Sequence, residues 1–225
     1  MTPIVRLHDL GTIDYKEAWE YQEILFHQVI ENKKEDKKPL NHLIVCEHPH
    51  VFTLGKSGDK NHLLANEHLL SNLNASFYKI NRGGDITYHG PGQLVVYPIF
   101  DLDQFFTDIH KYMRYLEESV IKTLSEYHID GFRIEGLTGV WVDENAPKKI
   151  SAFGVKSSRW VTMHGIGFNV NTNLHYFEHI VPCGISDKQV TSMSQELKRS
   201  VEMKEVTEVF CSVFQQLFDF RWETN

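Results

Sequence analysis

A glycine-rich segment constrains the fold of this 225-residue chain more than any other feature. Residues 82–93 hold four glycines together with Arg82 and His89, and the apolar run 94–97 follows at once. Because glycine has no Cβ, it lets backbone N–H groups approach a ligand closely. The segment therefore predicts a binding loop that leads into a buried strand. It has neither the ending of a Walker motif nor GxGxxG spacing, so its glycines alone do not indicate a nucleotide site.

Hydrophobic periodicity predicts an α+β fold. Apolar residues at helical spacing predict helices near 15–29, 109–127 and 206–217, with one polar exception at Gln22. Short apolar runs predict strands at 40–46, 52–56, 77–80, 94–100, 132–134, 139–142, 149–155 and 165–170. Because regular βαβ alternation is missing, we expect a mixed, largely antiparallel sheet flanked by helices. The length favours one domain over residues 1–225.

Composition narrows the functional class. The chain is 41% hydrophobic and 24% charged, as in soluble globular proteins, and no apolar run approaches the roughly 18 residues of a membrane span. Its net charge of −7 disfavours nucleic-acid binding. Three cysteines without a CxxC pair, and no signal-peptide pattern, favour a cytoplasmic location. The mixed-sign run 31–38 is expected to be a solvated loop.

Cys183 is the candidate nucleophile. It lies between Pro182, which stiffens the chain, and Gly184, which permits unusual backbone angles. A free thiol titrates near ~8.5, and a nearby cation raises the thiolate fraction at neutral pH. The alternative is a buried structural cysteine, which is our interpretation of Cys46 and Cys211. A reactive thiol beside a glycine-lined pocket indicates acyl transfer through a thioester.

Lys149 is the candidate partner of that thiol. It opens an apolar strand, from which its ammonium group could stabilise a thiolate or its amine could act as a base. The alternative is a solvated surface lysine. Neighbouring side chains on a strand point in opposite directions, so at most one of Lys148 and Lys149 faces the site.

His89 and His164 each begin a His-Gly-x-Gly pattern. Either imidazole could donate a hydrogen bond to a carbonyl oxygen or carry a proton, and the alternative is a histidine paired with a backbone carbonyl. Although the chain has 13 histidines, it lacks HExxH, and Cys46-x-His48-x-His50 is a poor zinc spacing. We therefore expect no metal.

Three motifs in the expected order resemble the signatures of the lipoyl(octanoyl) transferase family, and a segment at 47–55 is similar to its amino-terminal part. The resemblance covers about residues 10–200, with Phe153 where the family has a smaller apolar residue. The three motifs are Arg82-Gly-Gly-x-x-Thr-Tyr-His-Gly-Pro-Gly-Gln-Leu-Val-x-Tyr-Pro98, Lys149-Ile-x-x-x-Gly-Val155 with Arg159-x-x-x-x-His-Gly165, and Ile180-Val-Pro-Cys-Gly-Ile185 with Val190-Thr-Ser192.

The resemblance implies a reaction and its residues. An octanoyl or lipoyl group passes from acyl carrier protein to Cys183, and then to a lysine of lipoyl domains in 2-oxoacid dehydrogenase complexes or of the glycine cleavage H protein. Cys183 and Lys149 are implied to be catalytic, no cofactor is implied, and the fold is that of biotin and lipoate protein ligases. The implied acyl site consists of Arg82, Gly83, Gly84, Asp85, Ile86, Thr87, Tyr88, His89, Ala152, Phe153, Gly154, Gly165, Ile166 and Gly167.

Three other functions remain open on the residues alone. A lipoate or biotin protein ligase would share the fold but would form an acyl-adenylate and need ATP and magnesium. A cysteine hydrolase would release the acid to water. A binding module for a carrier protein or fatty acid would bury Cys183 as an inert thiol.

Overall fold

A computed structural model describes residues 2–35, 37–181 and 189–224. The candidate nucleophile Cys183 therefore lies outside the described residues. The helices are α1 (Tyr15–Lys34), α2 (Glu67–Asn72), α3 (Ile109–Glu126), α4 (Met193–Leu197) and α5 (Met203–Phe218), and short 3₁₀ helices cover Lys60–His62, Leu102–Gln104 and Leu174–His179. The strands are β1 (Ile4–Thr12), β2 (Asn41–Glu47), β3 (Val51–Leu54), β4 (Ser76–Lys79), β5 (Ile86–His89), β6 (Gln93–Ile99), β7 (Gly131–Phe132), β8 (Val140–Val142), β9 (Lys148–Ser158), β10 (Val161–Asn169), β11 (Gln189–Val190) and β12 (Arg221–Trp222).

In the described ranges these strands form two sheets. The larger sheet has nine strands in the order β12-β1-β2-β6-β10-β9-β8-β7, with β11 beside β9. Its β12–β1, β1–β2 and β11–β9 pairs are parallel and its other pairs are antiparallel. The smaller sheet has the order β4-β3-β5. The prediction of an α+β fold with a mixed, largely antiparallel sheet is confirmed.

Alternation along the central strands divides the core into two layers. On β2, Leu43 and Val45 pack into the layer that contains α3 and α5, whereas Ile44 and Cys46 pack into the layer that contains α1. Burying each large apolar side chain contributes about 1.5–3 kcal/mol, so both layers stabilise the sheet. The helices thus cover both faces of the large sheet, and the glycine motifs meet at its strands β9 and β10.

Three features of the fold differ from the sequence-based expectations. Residues 31–34 of the mixed-charge run belong to α1, and Lys33 bonds to Asp101 at 2.6 Å, so the solvated-loop prediction is wrong there. Strand β5 lies inside the segment expected to be a loop, and the sequence does not predict β1.

No helix in the described part of the chain is long and apolar enough to cross a bilayer.

Candidate active site

A cavity of about 420 Å³ lies between the β9–β10 hairpin and the segment that carries β5. It brings together the glycine-rich motif, the Lys149 motif and the glycines after His164, which are far apart in sequence. Lys149 lines the cavity, as do thirteen of the fourteen residues implied for the acyl site: Arg82, Gly83, Gly84, Asp85, Ile86, Thr87, His89, Ala152, Phe153, Gly154, Gly165, Ile166 and Gly167.

Tyr88 is the residue of that set that does not line the cavity. Its side chain is fully buried on the other side of β5, where its hydroxyl lies 2.7 Å from Nδ1 of His50. The ring stacks on Tyr176 with a centroid distance of 4.9 Å. Successive side chains of a strand point to opposite faces, so Tyr88 packs on the face of the small sheet that is turned away from the cavity.

Glycines bring the walls of the cavity close together. Gly154 pairs with Gly165, and Ala152 pairs with Gly167, across β9 and β10. A Cβ at Gly165 would lie 2.3 Å from the carbonyl oxygen of Val96, and a Cβ at Gly154 would lie 2.8 Å from that of Gly83. Any larger residue would push β6 or the segment at Gly83 away, so glycine is required at both positions.

Arg82 fixes the glycine-rich segment against both sheets. Its buried guanidinium donates from Nη2 to the carbonyl oxygen of Thr53 at 2.8 Å and to the Thr53 hydroxyl at 2.9 Å. The next residue, Gly83, donates its backbone N–H to the carbonyl oxygen of Val155 at 2.8 Å. Arg82 thus places a permanent positive charge at the cavity wall, since its guanidinium does not lose its proton in proteins.

Lys149 and Lys148 face in opposite directions, as strand alternation predicts. Lys149 lines the cavity, and its Nζ lies 4.7 Å from the ring centroid of Trp141, its cross-strand neighbour on β8. Lys148 instead lies within 3.5 Å of carboxylate oxygens of Asp143 and Glu196. Of the two lysines, Lys149 is therefore the one that faces the cavity.

The described residues on either side of Cys183 lie beside this site. On the amino-terminal side, the Val181 N–H donates to the carbonyl oxygen of His62 at 2.8 Å, and the His62 ring lies 2.5 Å from Asp85 of the cavity wall. On the carboxyl-terminal side, Val190 pairs with Lys149 through β11 and itself lines the cavity. The Thr191 N–H donates to the carbonyl oxygen of Lys149 at 2.9 Å.

His89 is a neutral imidazole at the cavity wall. Burial, with smaller effects of His48 and Arg82, lowers the pKa of His89 to about 3. The Gln93 amide donates from Nε2 to the Tyr88 carbonyl and the Asn169 side chain, so its Oε1 accepts from Nδ1 of His89 at 2.6 Å. The proton of His89 is thereby assigned to Nδ1, which leaves Nε2 as a hydrogen-bond acceptor.

His164 has a different environment. It is 2% exposed, and neither of its ring nitrogens has a hydrogen-bond partner among the described residues. Burial, together with the charges of Arg82 and Lys156, lowers the pKa of His164 to about 3. The residue therefore stays neutral at physiological pH and does not add charge to the cavity wall.

The other two cysteines are unsuited to nucleophilic chemistry. Cys46 and Cys211 are both buried and unpaired. Burial raises the pKa of the Cys211 thiol to about 12, and it raises the pKa of the Cys46 thiol further. Both thiols stay protonated at neutral pH, which agrees with their interpretation as structural residues.

Sequence reasoning did not identify several residues of the cavity wall. Tyr15 belongs to the apolar stripe of α1, yet it lines the cavity and its ring lies 5.9 Å from that of His89. Tyr97 also lines the cavity, and its hydroxyl lies 2.8 Å from Nε2 of His48. By spacing alone both are similar to core aromatics, although Tyr97 also belongs to the first motif. Among the described residues, no group of three or more His, Cys, Asp or Glu side chains is arranged to hold a metal ion.

Comparison with known families identifies the class of protein. Residues 14–215 match the family model of the lipoyl protein ligase A/B catalytic domain. The chain belongs to this family. The octanoyltransferase of Cytophaga hutchinsonii is 56% identical over 98% of this chain and 95% of its own length. That of Flavobacterium psychrophilum is 54% identical over 97% of this chain and 98% of its own length. The chain is therefore an enzyme, an acyltransferase.

Solved structures support the predicted fold. A bipartite lipoate protein ligase from Thermoplasma acidophilum has a TM-score of 0.74 at 16% identity, over 99% of this chain and 87% of that one. The biotin protein ligase of Aquifex aeolicus has a TM-score of 0.55 at 17% identity, over 95% of this chain and 70% of that one. At these identities the likeness concerns the fold alone, and it is the fold that the motifs implied.

Proposed function

We propose that this enzyme transfers an octanoyl or lipoyl group from acyl carrier protein, through a thioester on Cys183, to a lysine amine of a lipoyl-accepting domain. The observation that carries the proposal is the position of Lys149, which faces a glycine-lined cavity and pairs with the strand that follows the Cys183 motif. The octanoyltransferases to which the chain is similar support the choice of acyl group.

The first half-reaction forms the thioester. The ammonium of Lys149 stabilises the Cys183 thiolate, which attacks the carbonyl carbon of the acyl donor. The tetrahedral intermediate collapses as its bond to the donor sulfur breaks, and the carrier's thiol leaves with a proton. Because the donor is already a thioester, this step needs neither ATP nor a cofactor.

The second half-reaction transfers the acyl group to the acceptor. The lysine amine attacks the Cys183 thioester, the carbon–sulfur bond breaks, and an amide forms while the thiolate is restored. The proton lost by the amine passes to a base at the site, for which Lys149 is the candidate after it has given its proton to the departing carrier thiol. The acceptors are lipoyl domains of 2-oxoacid dehydrogenase complexes and the glycine cleavage H protein.

The cavity of about 420 Å³ extends along β9 from Lys149 to Gly154. Gly154, where Arg82 and Gly83 cross β9, lies five residues from Lys149, or roughly 17 Å along an extended strand. At about 1.2 Å per bond, an extended eight-carbon chain spans roughly 9 Å. An extended octanoyl group is therefore shorter than the stretch of β9 that borders the cavity.

Intact-mass analysis after incubation with octanoyl-acyl carrier protein, without nucleotide, tests the proposal. We expect one octanoyl adduct, mapped to Cys183 by peptide digestion and absent in Cys183→Ala. Cys211→Ala removes a buried thiol that stays protonated at neutral pH, and this variant should keep the adduct. Adding a lipoyl domain should then move the acyl group to its lysine.

Each alternative function gives a different result. A ligase would need ATP before any acyl group is retained. A hydrolase would release octanoic acid at the same rate with or without the lipoyl domain. A binding module would form no covalent adduct, and any of these results would overturn the proposal.

A further inference from the structure

Trp141 is the aromatic residue directly opposite Lys149 in the sheet. It is 2% exposed, and the register of β8 and β9 pairs it with Lys149 at a point where the register shifts. The Nζ of Lys149 lies 4.7 Å from the Trp141 ring centroid. This is within the ~6 Å range in which an ammonium is attracted to the negative face of an aromatic ring, for which indole is the best ring.

The turn before Trp141 makes room for this contact. A Cβ at Gly139 would lie 3.0 Å from Cε of Lys149 and 3.2 Å from Nε1 of Trp141, so a side chain there would enter the space between them. The backbone N–H of Gly139 donates to Oε1 of the buried Glu117 at 3.1 Å. Glu117 in turn accepts from Arg114 and Arg133, which anchors the turn to α3.

Several charged and titratable side chains among the described residues surround the contact between Trp141 and Lys149. Arg82, Asp85, His89 and His164 line the cavity with Lys149, and Glu117 lies behind Gly139 with its two arginines. The apolar side chains of Leu137, Trp141 and Phe153 line the same cavity as Lys149. Desolvation by such a wall favours the neutral amine, whereas the indole face favours the ammonium.

We propose that Trp141 is a positioning residue that holds Lys149 as an ammonium ion in the cavity, so that the resting enzyme uses Lys149 to stabilise the thiolate. The inference rests on the proposed function of Lys149 and Cys183. Lys149 could act either as a cation that stabilises the thiolate or as a base. If Trp141 holds Lys149 in its charged form, the lysine acts first as a cation and proton donor. Lys149 then acts as a base only after it has given up a proton.

Fluorinated tryptophan provides a test that preserves the shape of the side chain. Fluorine withdraws electrons from the indole face and weakens its attraction for a cation. We expect 5-fluorotryptophan in the full-length protein to lower the rate of Cys183 alkylation at pH 7 and to shift its pH profile upward. The kcat for octanoyl transfer should fall while KM for the donor stays nearly constant.

The chain supplies its own control, because it has four tryptophans. The same labelling in a Trp141→Phe protein reports on the other three, and there fluorination should change neither the alkylation profile nor kcat. Trp141→Leu removes the aromatic face and should lower kcat/KM by about 2- to 30-fold, the range of a cation–π contact. Trp141→Phe keeps a weaker aromatic face and should lower it less.

An unchanged alkylation profile and kcat in the fluorinated protein would overturn the inference. So would a fluorine effect that persists in the Trp141→Phe protein, since another tryptophan would then be responsible. If the unlabelled enzyme formed no adduct on Cys183 at all, the proposed function would fail instead, and the two failures are therefore distinguishable.

Discussion

The side-chain carbonyl oxygen of Gln22 in α1 accepts a hydrogen bond of 3.0 Å from the backbone N–H of His164 in β10. Gln22 is fully buried, and His164 has a φ of 58°, in the left-handed region that residues other than glycine seldom occupy. Strand β10 pairs with β6 only from Ile166 onward. The Gln22 side chain thus satisfies a buried N–H where this part of the ladder is interrupted, beside the glycines of the cavity.

Replacing Gln22 by leucine should destabilise the fold. The substitution leaves the His164 N–H buried without an acceptor, which costs about 1–3 kcal/mol of the free energy of unfolding. Urea denaturation monitored by circular dichroism measures the effect. Gln28→Leu, on the exposed face of the same helix, is the matched control and should stay within about 0.5 kcal/mol of the wild type. Equal stability of the two variants would contradict this role for Gln22.

The same contact shows what the sequence could and could not reveal. Helical spacing predicts α1 and marks Gln22 as its polar exception, but the partner lies 142 residues away and no local signal connects them. The opposite directions of Lys148 and Lys149 were predictable, because alternation is a property of any strand.

Other features depended on tertiary pairing. The sequence does not predict strand β5 because glycines, which normally indicate a loop, flank its residues. The segment is extended because it pairs with β3. Strand β1 has a largely exposed face, so it lacks the clear alternation by which a half-buried strand is recognised. The family motifs contain most of the cavity wall, including Tyr97, whereas Tyr15 lies outside them and is similar to an ordinary core residue by spacing.

Lys149→Ala should impair acyl transfer far more than Lys148→Ala. Without the Lys149 ammonium the Cys183 thiolate loses its stabilising charge, so the pH at which Cys183 is half-maximally alkylated should rise by about one unit or more. Stopped-flow alkylation across pH 6–10, with transfer assays on the same preparations, measures both effects. Lys148→Ala removes only the partly exposed pairs with Asp143 and Glu196 and should resemble the wild type. An identical alkylation profile in the Lys149 variant would exclude a role in stabilising the thiolate.

The stability of the protein should fall as the pH is lowered from 7 to 5. Burial lowers the pKa of His89 and His164 to about 3 and that of His42 to about 4. The unfolded chain, with histidine pKa values near ~6.5, binds protons in this range that the folded state does not bind, so acid favours unfolding. The loss begins near pH 6.5 and continues toward the folded-state pKa values. Each such histidine contributes up to about 1.4 kcal/mol per pH unit.

Urea midpoints at pH 7, 6 and 5 measure this slope in a range above the ordinary titration of carboxylates. His42→Asn, which lies away from the cavity, should reduce the slope by about one histidine's contribution. His110→Asn removes an exposed histidine on α3 and should leave it unchanged. A flat profile in the wild type would show that these imidazoles gain protons without unfolding.

The cavity should select acyl chains by length, and Phe153 should set part of that limit. Phe153 lines the cavity and packs against the main core, where it pairs with Ile166 across β9 and β10. Each buried methylene contributes about 0.8 kcal/mol, or nearly fourfold in affinity, so kcat/KM should rise steeply from butanoyl to octanoyl donors. Chains longer than the cavity should react slowly because they overpack its walls.

Phe153→Ala should shift the optimum toward longer donors, measured as kcat/KM for acyl carrier proteins that carry acyl chains of four to sixteen carbons. Phe105→Ala, which removes a core aromatic that does not line the cavity, controls for general loosening and should keep the octanoyl optimum. Equal rates with all donors, or the same shift in both variants, would rule out a length limit set by Phe153.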